Sequence, residues 1–222
     1  MRNRRPAGVS SLRLEETTRW YEDKVRKYGY DHRGLGFRNR SSQEKRFEAL
    51  LALGDFQGRR ILDVGCGFGD LLEFFMVRGI QPVYSGIDVC KPMIERCRER
   101  FQGDVAHFMC ADVLTYEPEE QYDYVVASGL FGLDTEGARE RIRPTLERLY
   151  GWSRIGTAVN FLSANYPKPV DGRIYVEPGK ALEAGLVLTP AVRIDHSYLP
   201  NDFTLHLYKT PAWEADAPAR KP

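Results

Sequence analysis

Ile61-Leu-Asp-Val-Gly-Cys-Gly-Phe-Gly-Asp70 has the pattern of a buried strand that turns sharply into a helix. The apolar run ends in an acid, three glycines alternate with other residues, and a second acid opens the helix. Glycine adopts positive φ and carries no Cβ, so the backbone of this turn can approach a ligand closely. The helix would present its unpaired backbone N–H groups to the same point. We therefore expect a ligand-binding turn here.

The spacing of the glycines indicates which ligand binds. Dinucleotide-binding turns read G-x-G-x-x-G, whereas this chain reads G-x-G-x-G, which disfavours an NAD-dependent oxidoreductase. The carboxylates of Asp63 and Asp70 would repel a pyrophosphate but suit a ligand with an ammonium or sulfonium group. Asp63-Val-Gly-Cys-Gly-Phe-Gly69 resembles the first motif of the class I S-adenosylmethionine-dependent methyltransferases. The resemblance implies S-adenosyl-L-methionine as the cofactor.

Composition narrows the classes of function. The 222 residues suit one domain with a sizeable core. A net charge of +1 provides no general field for nucleic acid or a membrane surface, and no segment has the length of a membrane span. The four cysteines form no C-x-x-C pair and have no histidines at metal-ligand spacing. We expect a cytoplasmic protein with a small-molecule substrate, no metal, and no nucleic-acid or membrane partner, while the oligomeric state is not indicated.

The elements from residue 60 onward alternate between strand and helix, which predicts a parallel sheet covered on both faces. Helices are expected at about 70–77, 91–101, 137–150 and 178–184. The predicted strands are Arg60–Val64, Val83–Ile87, Ala106–Met109, Tyr122–Ala127, Gly156–Leu162, Ala191–Tyr198 and Phe203–Tyr208. The turn at 200–202 is too short for a parallel crossover, so the last two strands are expected to form an antiparallel hairpin.

The fold class is therefore α/β, a Rossmann-like, seven-stranded, mostly parallel sheet with an antiparallel C-terminal hairpin and an N-terminal helical lid. The resemblance implies that the seventh strand lies antiparallel between the fifth and sixth. Residues 1–10 are expected to be a disordered arm, 11–54 a helical lid outside the sheet, 55–210 the cofactor-binding domain and 211–222 a disordered tail. Within the lid we expect a helix over 12–28 and a second one capped by Ser41 or Ser42.

The cofactor site is expected at the carboxyl ends of the strands, where doubly wound sheets bind their ligands. Asp88 ends the second strand and would reach the ribose hydroxyls of an adenosine. The resemblance implies that Asp112 holds the adenine amino group and that Ser128 and Gly129 border the methionine part and the acceptor. The alternative for Asp112 is that it merely caps a turn. The predicted cofactor residues are Asp63, Gly65, Cys66, Gly67, Asp70, Asp88, Val89, Asp112, Val113, Ser128, Gly129, Tyr28, Arg46 and Gln43.

The lid is expected to supply the remaining contacts. The cofactor carboxylate needs a cation, and the candidates are Arg33, Arg38, Arg40 and Arg46. We choose Arg46 because it lies on a helix, with Gln43 one turn earlier on the same side. Tyr28, like Tyr21 and Phe37, could place an aromatic face over the sulfonium; packing of these rings between lid and body is about as plausible.

The expected reaction is methyl transfer to a small molecule by in-line displacement in a lidded pocket. Such a reaction needs positioning more than a catalytic triad, and no Asp/Asn-Pro-Pro-Tyr/Phe signature of nucleobase methylation follows the fourth strand. The residues considered for base or orienting roles are Tyr175, Asn160, Ser128 and His196. The alternative is an azetidine-2-carboxylate synthase, which cyclises S-adenosylmethionine intramolecularly and releases methylthioadenosine. A third hypothesis is a module that only binds the cofactor.

Overall fold

A computed structural model describes residues 10–37, 39–103 and 105–211, with side chains from Leu14 onward. The predicted arm and tail therefore lie almost entirely outside the described residues, as does Arg38, one of the candidate cations. The elements, in chain order, are α1 Ser10–Tyr28, α2 Arg40–Leu51, β1 Arg60–Val64, α3 Asp70–Val77, β2 Val83–Asp88, α4 Lys91–Arg100, β3 Ala106–Cys110, β4 Tyr122–Ala127, α5 Ala138–Trp152, β5 Ser153–Leu162, α6 Pro178–Leu188, β6 Val192–Leu199 and β7 Asp202–Tyr208.

The strands form one seven-stranded sheet in the order β3-β2-β1-β4-β5-β7-β6. β7 is antiparallel to both of its neighbours, and the other pairs are parallel. The predicted fold class, including the C-terminal hairpin and the insertion of the last strand, is confirmed. The strand order reverses between β1 and β4, and such a reversal opens a crevice at the carboxyl ends of the strands.

The core lies on both faces of the sheet, as a parallel sheet requires. Successive side chains of β1 alternate between faces: Ile61 packs with residues of α2, α3 and α4, whereas Leu62 packs with residues of α5 and the C-terminal strands. Both side chains are fully buried. β5 begins at Ser153, three residues before the predicted start, because the buried Ser153 pairs with Tyr122 beyond an irregularity in the β4–β5 register.

Helix α2, which the sequence analysis assigned to the lid, packs against the sheet. Its Phe47 and Leu50 are buried in the core, and His206 Nε2 on β7 lies 2.9 Å from the carbonyl oxygen of Ala49. The cap also differs from the prediction. Asn39 is extended and its side chain accepts a hydrogen bond from Ser42 N at 2.8 Å, so the predicted serines lie inside the first turn.

None of the helices among these residues combines the length and the apolar composition that a bilayer span needs.

Candidate active site

A cavity lies at the carboxyl ends of β1, β2, β3 and β4. Its floor is formed by the strand ends and the glycine turn, and one side by the loop between β4 and α5. Leu14, Thr17 and Tyr21 of α1, with Leu35 and Phe37, also line the cavity, and Thr17 meets Thr135 of that loop. We call α1 together with residues 29–37 the cover. The cavity occupies the crevice that the strand order predicts.

The glycine turn brings backbone close to both the cavity and the cover. Gly65, Gly67 and Gly69 have φ of 77°, 55° and 75°, a region that side-chain-bearing residues avoid. A Cβ on Gly67 would lie 2.6 Å from Cδ2 of Leu35 in the cover. Gly67 therefore needs to be glycine for two independent reasons, its φ and the closeness of Leu35.

Asp88, at the end of β2, is hydrogen-bonded to the backbone of this turn. Its Oδ2 accepts a hydrogen bond from Gly67 N at 3.0 Å and its Oδ1 accepts one from Cys90 N at 2.8 Å. Burial raises the pKa of this carboxyl, and the backbone N–H donors act in the opposite direction. The neighbouring Tyr21 of the cover has its pKa raised to about 12 by burial, so its phenol stays neutral. The pair offers an acceptor and a donor to a polar ligand group.

Asp112, after β3, caps a turn and also lines the cavity. Its Oδ1 accepts hydrogen bonds from Leu114 N at 3.0 Å and from Arg141 Nη2 at 2.5 Å. The sequence analysis missed Arg141, which lines the cavity from α5. An arginine near the start of a helix carries no motif, and only the fold brings it across 29 residues of chain to Asp112.

The two acids that flank the glycine turn have different partners. Asp63, at the end of β1, is buried, and its Oδ2 accepts a hydrogen bond from the Tyr84 hydroxyl at 2.5 Å. Burial raises the pKa of Asp63 to about 7. Asp70 accepts hydrogen bonds from Gln43 Nε2 at 2.9 Å and from Arg100 Nη1 at 2.7 Å. Asp70 is thus a paired carboxylate, whereas Asp63 is balanced between its charged and neutral forms near neutral pH.

Ser128 and Gly129 follow β4 and form the wall next to the turn. Ser128 Oγ is buried and has no hydrogen-bond partner among the described residues. A buried hydroxyl without a partner is costly, and such atoms in cavities are satisfied by a ligand or water. Gly129 has φ of 73°, and a Cβ there would lie 3.2 Å from the Phe37 ring of the cover. Small residues therefore form this wall of the cavity, and Ser128 Oγ is an unsatisfied polar atom there.

Polar contacts between described residues tie the cover to the body. Thr17 and Thr135 hydroxyls lie 3.0 Å apart, linking α1 to the loop after β4. Arg173 donates to the carbonyl oxygens of Gly132 and Gly36, each at 3.4 Å, and its guanidinium lies 5.1 Å from the Trp20 ring centroid. The sequence offered no signal for these contacts, because they join loops that are distant in the chain.

Most predicted cofactor residues line this one cavity. They are Gln43, Asp63, Gly65, Cys66, Gly67, Asp70, Asp88, Val89, Asp112, Val113, Ser128 and Gly129. Arg46 and Tyr28 do not. Arg46 Nε donates to Asp202 Oδ2 at 2.8 Å in a buried ion pair, and the Tyr28 ring is surrounded by the cations of Lys24, Lys27 and Arg33.

Of the four residues considered for catalysis, only Ser128 lines the cavity. Asn160 is buried between β5 and β7, where its Nδ2 donates to Thr204 Oγ1 at 2.7 Å. The Tyr175 hydroxyl accepts from Val170 N at 2.8 Å. His196 is exposed on β6, which is the far edge of the sheet from β1–β3. The carboxyl ends of β5 and β6 thus lie beside the crevice rather than in it.

No group of three or more His, Cys, Asp or Glu side chains with metal-binding geometry occurs in the described part of the chain. The four cysteines are free thiols.

Comparisons with known proteins agree with this geometry. A family model described as a methyltransferase domain matches residues 61–150. Rv1506c of Mycobacterium tuberculosis, described as a methyltransferase, is 34% identical over 158 residues, which is 67% of this chain and 92% of that protein. Malonyl-acyl-carrier-protein O-methyltransferase of Acetivibrio thermocellus is 34% identical over 92 residues, which is 40% of this chain and 32% of that protein.

Solved structures of methyltransferases share the fold. A complex of DhpI with SAM and HEP superimposes with a TM-score of 0.67 at 16% identity, covering 90% of this chain and 99% of that one. Magnesium protoporphyrin IX methyltransferase from Synechocystis PCC 6803, with bound SAH, gives 0.63 at 13% identity over 90% of this chain and 98% of that one. At these identities the likeness concerns the fold.

Proposed function

Because the chain belongs to the class I S-adenosylmethionine-dependent methyltransferases, we propose that it transfers the methyl group of S-adenosylmethionine to a small, largely apolar acceptor beneath the cover. One observation carries this proposal. Asp112, Asp88, Asp63 and Ser128 stand at the ends of β3, β2, β1 and β4, which are consecutive in the sheet, and all four line the same cavity. A row of this kind suits an elongated ligand with several polar groups.

The residues fit the cofactor along that row. Asp112 with Val113 would hold the adenine, Asp88 the ribose hydroxyls, and Asp63 with the glycine turn the amino acid part. The unpartnered Ser128 Oγ then faces the reactive end. When bound, S-adenosylmethionine supplies an activated methyl group on its sulfonium.

The task of the protein is to position the reactants and exclude water. Leu14, Leu35 and Phe37 of the cover give the cavity an apolar roof. Thr17 and Arg173 hold that roof against the loop after β4. We infer that the cover acts as the lid of the pocket and that α2 is part of the wall beneath it. Residues 55–210 with α2 would then form the cofactor-binding domain.

The charges of the cavity indicate the class of acceptor. The described lining residues include the carboxyls of Asp63, Asp70, Asp88, Asp112 and Glu136 and the guanidinium of Arg141; Asp112 is paired with Arg141, and Asp70 with Arg100 outside the lining. An acceptor with several carboxylates would be repelled by this excess of negative charge. The walls beyond Ser128 are apolar, formed by Leu130, Phe131, Leu133 and Ile174. We propose an uncharged or cationic acceptor with an apolar body and one polar group that meets Ser128.

Cyclisation of the cofactor gains no support from the geometry. Tyr175 and Asn160, which were considered for orienting the amine in that reaction, are bonded elsewhere and do not line the cavity. Methyl transfer requires neither residue.

The test is to incubate the purified protein with S-adenosylmethionine, alone and with a panel of acceptors, and to quantify the nucleoside products. The panel contains phenols, aryl amines and alkyl amines, with trans-aconitate as a polyanionic control. We expect S-adenosylhomocysteine only when an uncharged or cationic acceptor is present. Methylthioadenosine from S-adenosylmethionine alone would instead establish cyclisation. Preferred turnover of trans-aconitate would contradict the proposed acceptor class, and tight binding without turnover across the panel would favour a module that only binds.

A further inference from the structure

The hydroxyl of Tyr84 contacts the carboxyl of Asp63, which lines the active-site cavity. Tyr84 lies on β2, is buried in the core, and does not line the cavity. Its hydroxyl donates to Asp63 Oδ2 at 2.5 Å. Its ring is held by the neighbouring Phe108 ring, with centroids 5.8 Å apart. The phenol is therefore fixed from the core side, and its hydroxyl meets the cavity-lining carboxyl of Asp63.

Asp63 occupies a distinct place in the row of strand-end residues. It stands between Asp88 on one side and Ser128 on the other, next to the glycine turn. If the adenosine lies over Asp112 and Asp88, the amino acid part of the cofactor lies over Asp63. The Asp63 carboxylate would attract the α-ammonium group of that part.

We propose that Tyr84 is a positioning residue for cofactor binding, whose hydroxyl holds the Asp63 carboxylate toward the ammonium group of S-adenosylmethionine. The inference rests on the proposed function, since it assumes that this cofactor binds in the stated orientation. Tyr84 touches no part of the cofactor and acts through Asp63.

The electrostatic surroundings make this hydrogen bond important. Burial, together with the charges of Asp88 on β2 and Asp70 on α3, raises the pKa of Asp63 to about 7, and the Tyr84 hydrogen bond acts in the opposite direction. Among the described residues the thiol of Cys66 also lies near Asp63, with Cys97 next to Cys66, and burial raises the pKa of Cys66 well above its usual range. Without the Tyr84 hydroxyl the pKa of Asp63 rises, so a larger fraction is protonated at pH 7 and cannot attract the ammonium group.

The test is the variant Tyr84→Phe, with affinities measured by isothermal titration calorimetry between about pH 6 and 7.5, below the range where free α-amino groups lose their proton (about 7.7–8.0). The probes are S-adenosylmethionine, S-adenosylhomocysteine and methylthioadenosine, of which the last has no ammonium group. A hydrogen bond to a charged group contributes enough to predict about a tenfold or larger loss of affinity for the first two at pH 7. As the pH is lowered, the affinity of the variant for these two ligands should begin to fall at a higher pH than that of the wild type, because Asp63 becomes protonated earlier. Methylthioadenosine should bind unchanged.

Tyr124→Phe is the matched control. Tyr124 is buried in the same core cluster on β4, outside the cavity lining, where its ring packs against Phe56. Tyr124→Phe removes a buried phenol hydroxyl, as Tyr84→Phe does, but this hydroxyl is not hydrogen-bonded to Asp63. All three probes should bind this variant as they bind the wild type.

The outcomes separate the alternatives. Equal losses for all three probes would assign Tyr84 a general structural role and overturn the proposal. A loss for S-adenosylmethionine but not for S-adenosylhomocysteine would place the sulfonium, not the ammonium, at Asp63, and unchanged affinities would also overturn it. If the wild type binds no S-adenosylmethionine, the proposed function fails instead.

A double variant covers the case in which Tyr84→Phe does not fold. In Asp63→Asn the carboxylate is gone, so adding Tyr84→Phe leaves no buried charge without its donor. The double variant should bind S-adenosylmethionine as weakly as Asp63→Asn alone. A further loss in the double variant would show that Tyr84 acts by a route other than Asp63 and would overturn the proposal.

Discussion

The substitution Arg46→Met separates a structural role for Arg46 from the cofactor-binding role that its sequence position suggested. Arg46 Nε donates to Asp202 Oδ2 at 2.8 Å, and the two side chains are 8% and 3% exposed. Asp202 Oδ1 also accepts from the Tyr198 hydroxyl at 2.5 Å. Removing one partner of a buried ion pair leaves an uncompensated charge and typically costs about 3–5 kcal/mol. We expect a loss of that size in the free energy of unfolding and no change in the affinity for S-adenosylmethionine.

The sign of the pH dependence follows from Asp202. Burial raises the pKa of this carboxyl, and Arg46 lowers it, so the pKa rises further in Arg46→Met. A carboxyl whose folded pKa lies above its unfolded value destabilises the fold as pH rises from the unfolded toward the folded pKa. The deficit of the variant relative to the wild type should therefore shrink as pH is lowered toward the ordinary range of an aspartic acid.

The assay is urea denaturation followed by tryptophan fluorescence, with calorimetric titration of the cofactor. Arg40→Met is the matched control, since Arg40 lies on the same helix in exposed ion pairs with Glu44 and Glu73, which contribute less than about 1 kcal/mol each. Arg46→Met with Asp202→Asn should be more stable than Arg46→Met alone. A loss below about 1 kcal/mol together with a collapse of cofactor affinity would refute the structural role and return Arg46 to the cofactor site.

Three further predictions concern the cavity and its cover. Asp88→Ala should weaken S-adenosylmethionine and methylthioadenosine binding by about 10–100-fold, because a buried acceptor of ligand and backbone donors is lost; an unchanged dissociation constant would remove Asp88 from the site. Gly67→Ala and Gly79→Ala both place a Cβ at positive φ, at a cost of roughly 1–2 kcal/mol, but only the Cβ at 67 meets Leu35, whereas the one at 79 meets open space. Loss of cofactor binding in calorimetry should therefore follow the first substitution and not the second. Arg173→Ala should expose α1 to limited proteolysis and raise KM for S-adenosylmethionine, and identical digestion of variant and wild type would show that this arginine does not hold the cover.

Local pattern was sufficient for the sheet and for the strand-end part of the site. The run Ile61–Val64, the glycines after it and the short turn at 200–201 each specify their structure within a few residues, so the predicted strands agree with the observed ones apart from their ends. Asp63, Asp88, Asp112 and Ser128 could be placed together in advance because parallel strands end at one edge.

Side chains that meet across long stretches of chain could not be placed in this way. The sequence pattern shows that Arg46 lies on a helix. It does not show that this helix packs on β7, where Asp202, 156 residues further along the chain, is the partner of Arg46. His196 was expected near a strand end like Ser128, yet it lies inside β6, which the order of the strands puts at the far edge of the sheet. Tyr84 reads as an ordinary core residue until its hydroxyl is seen 2.5 Å from Asp63.

The sequence by itself determined the α/β sheet, the methyltransferase family and the row of strand-end residues, since each depends on hydrophobic period, glycine spacing and the polarity of short segments. Only the tertiary structure decided the partners of the charged and hydroxyl groups around that row: Asp202 for Arg46, Arg141 for Asp112 and Tyr84 for Asp63. The physical reason is the range of the interactions. Backbone conformation responds to neighbouring residues, whereas the ionisation and orientation of a buried side chain depend on whichever distant groups the packed fold brings within hydrogen-bonding distance.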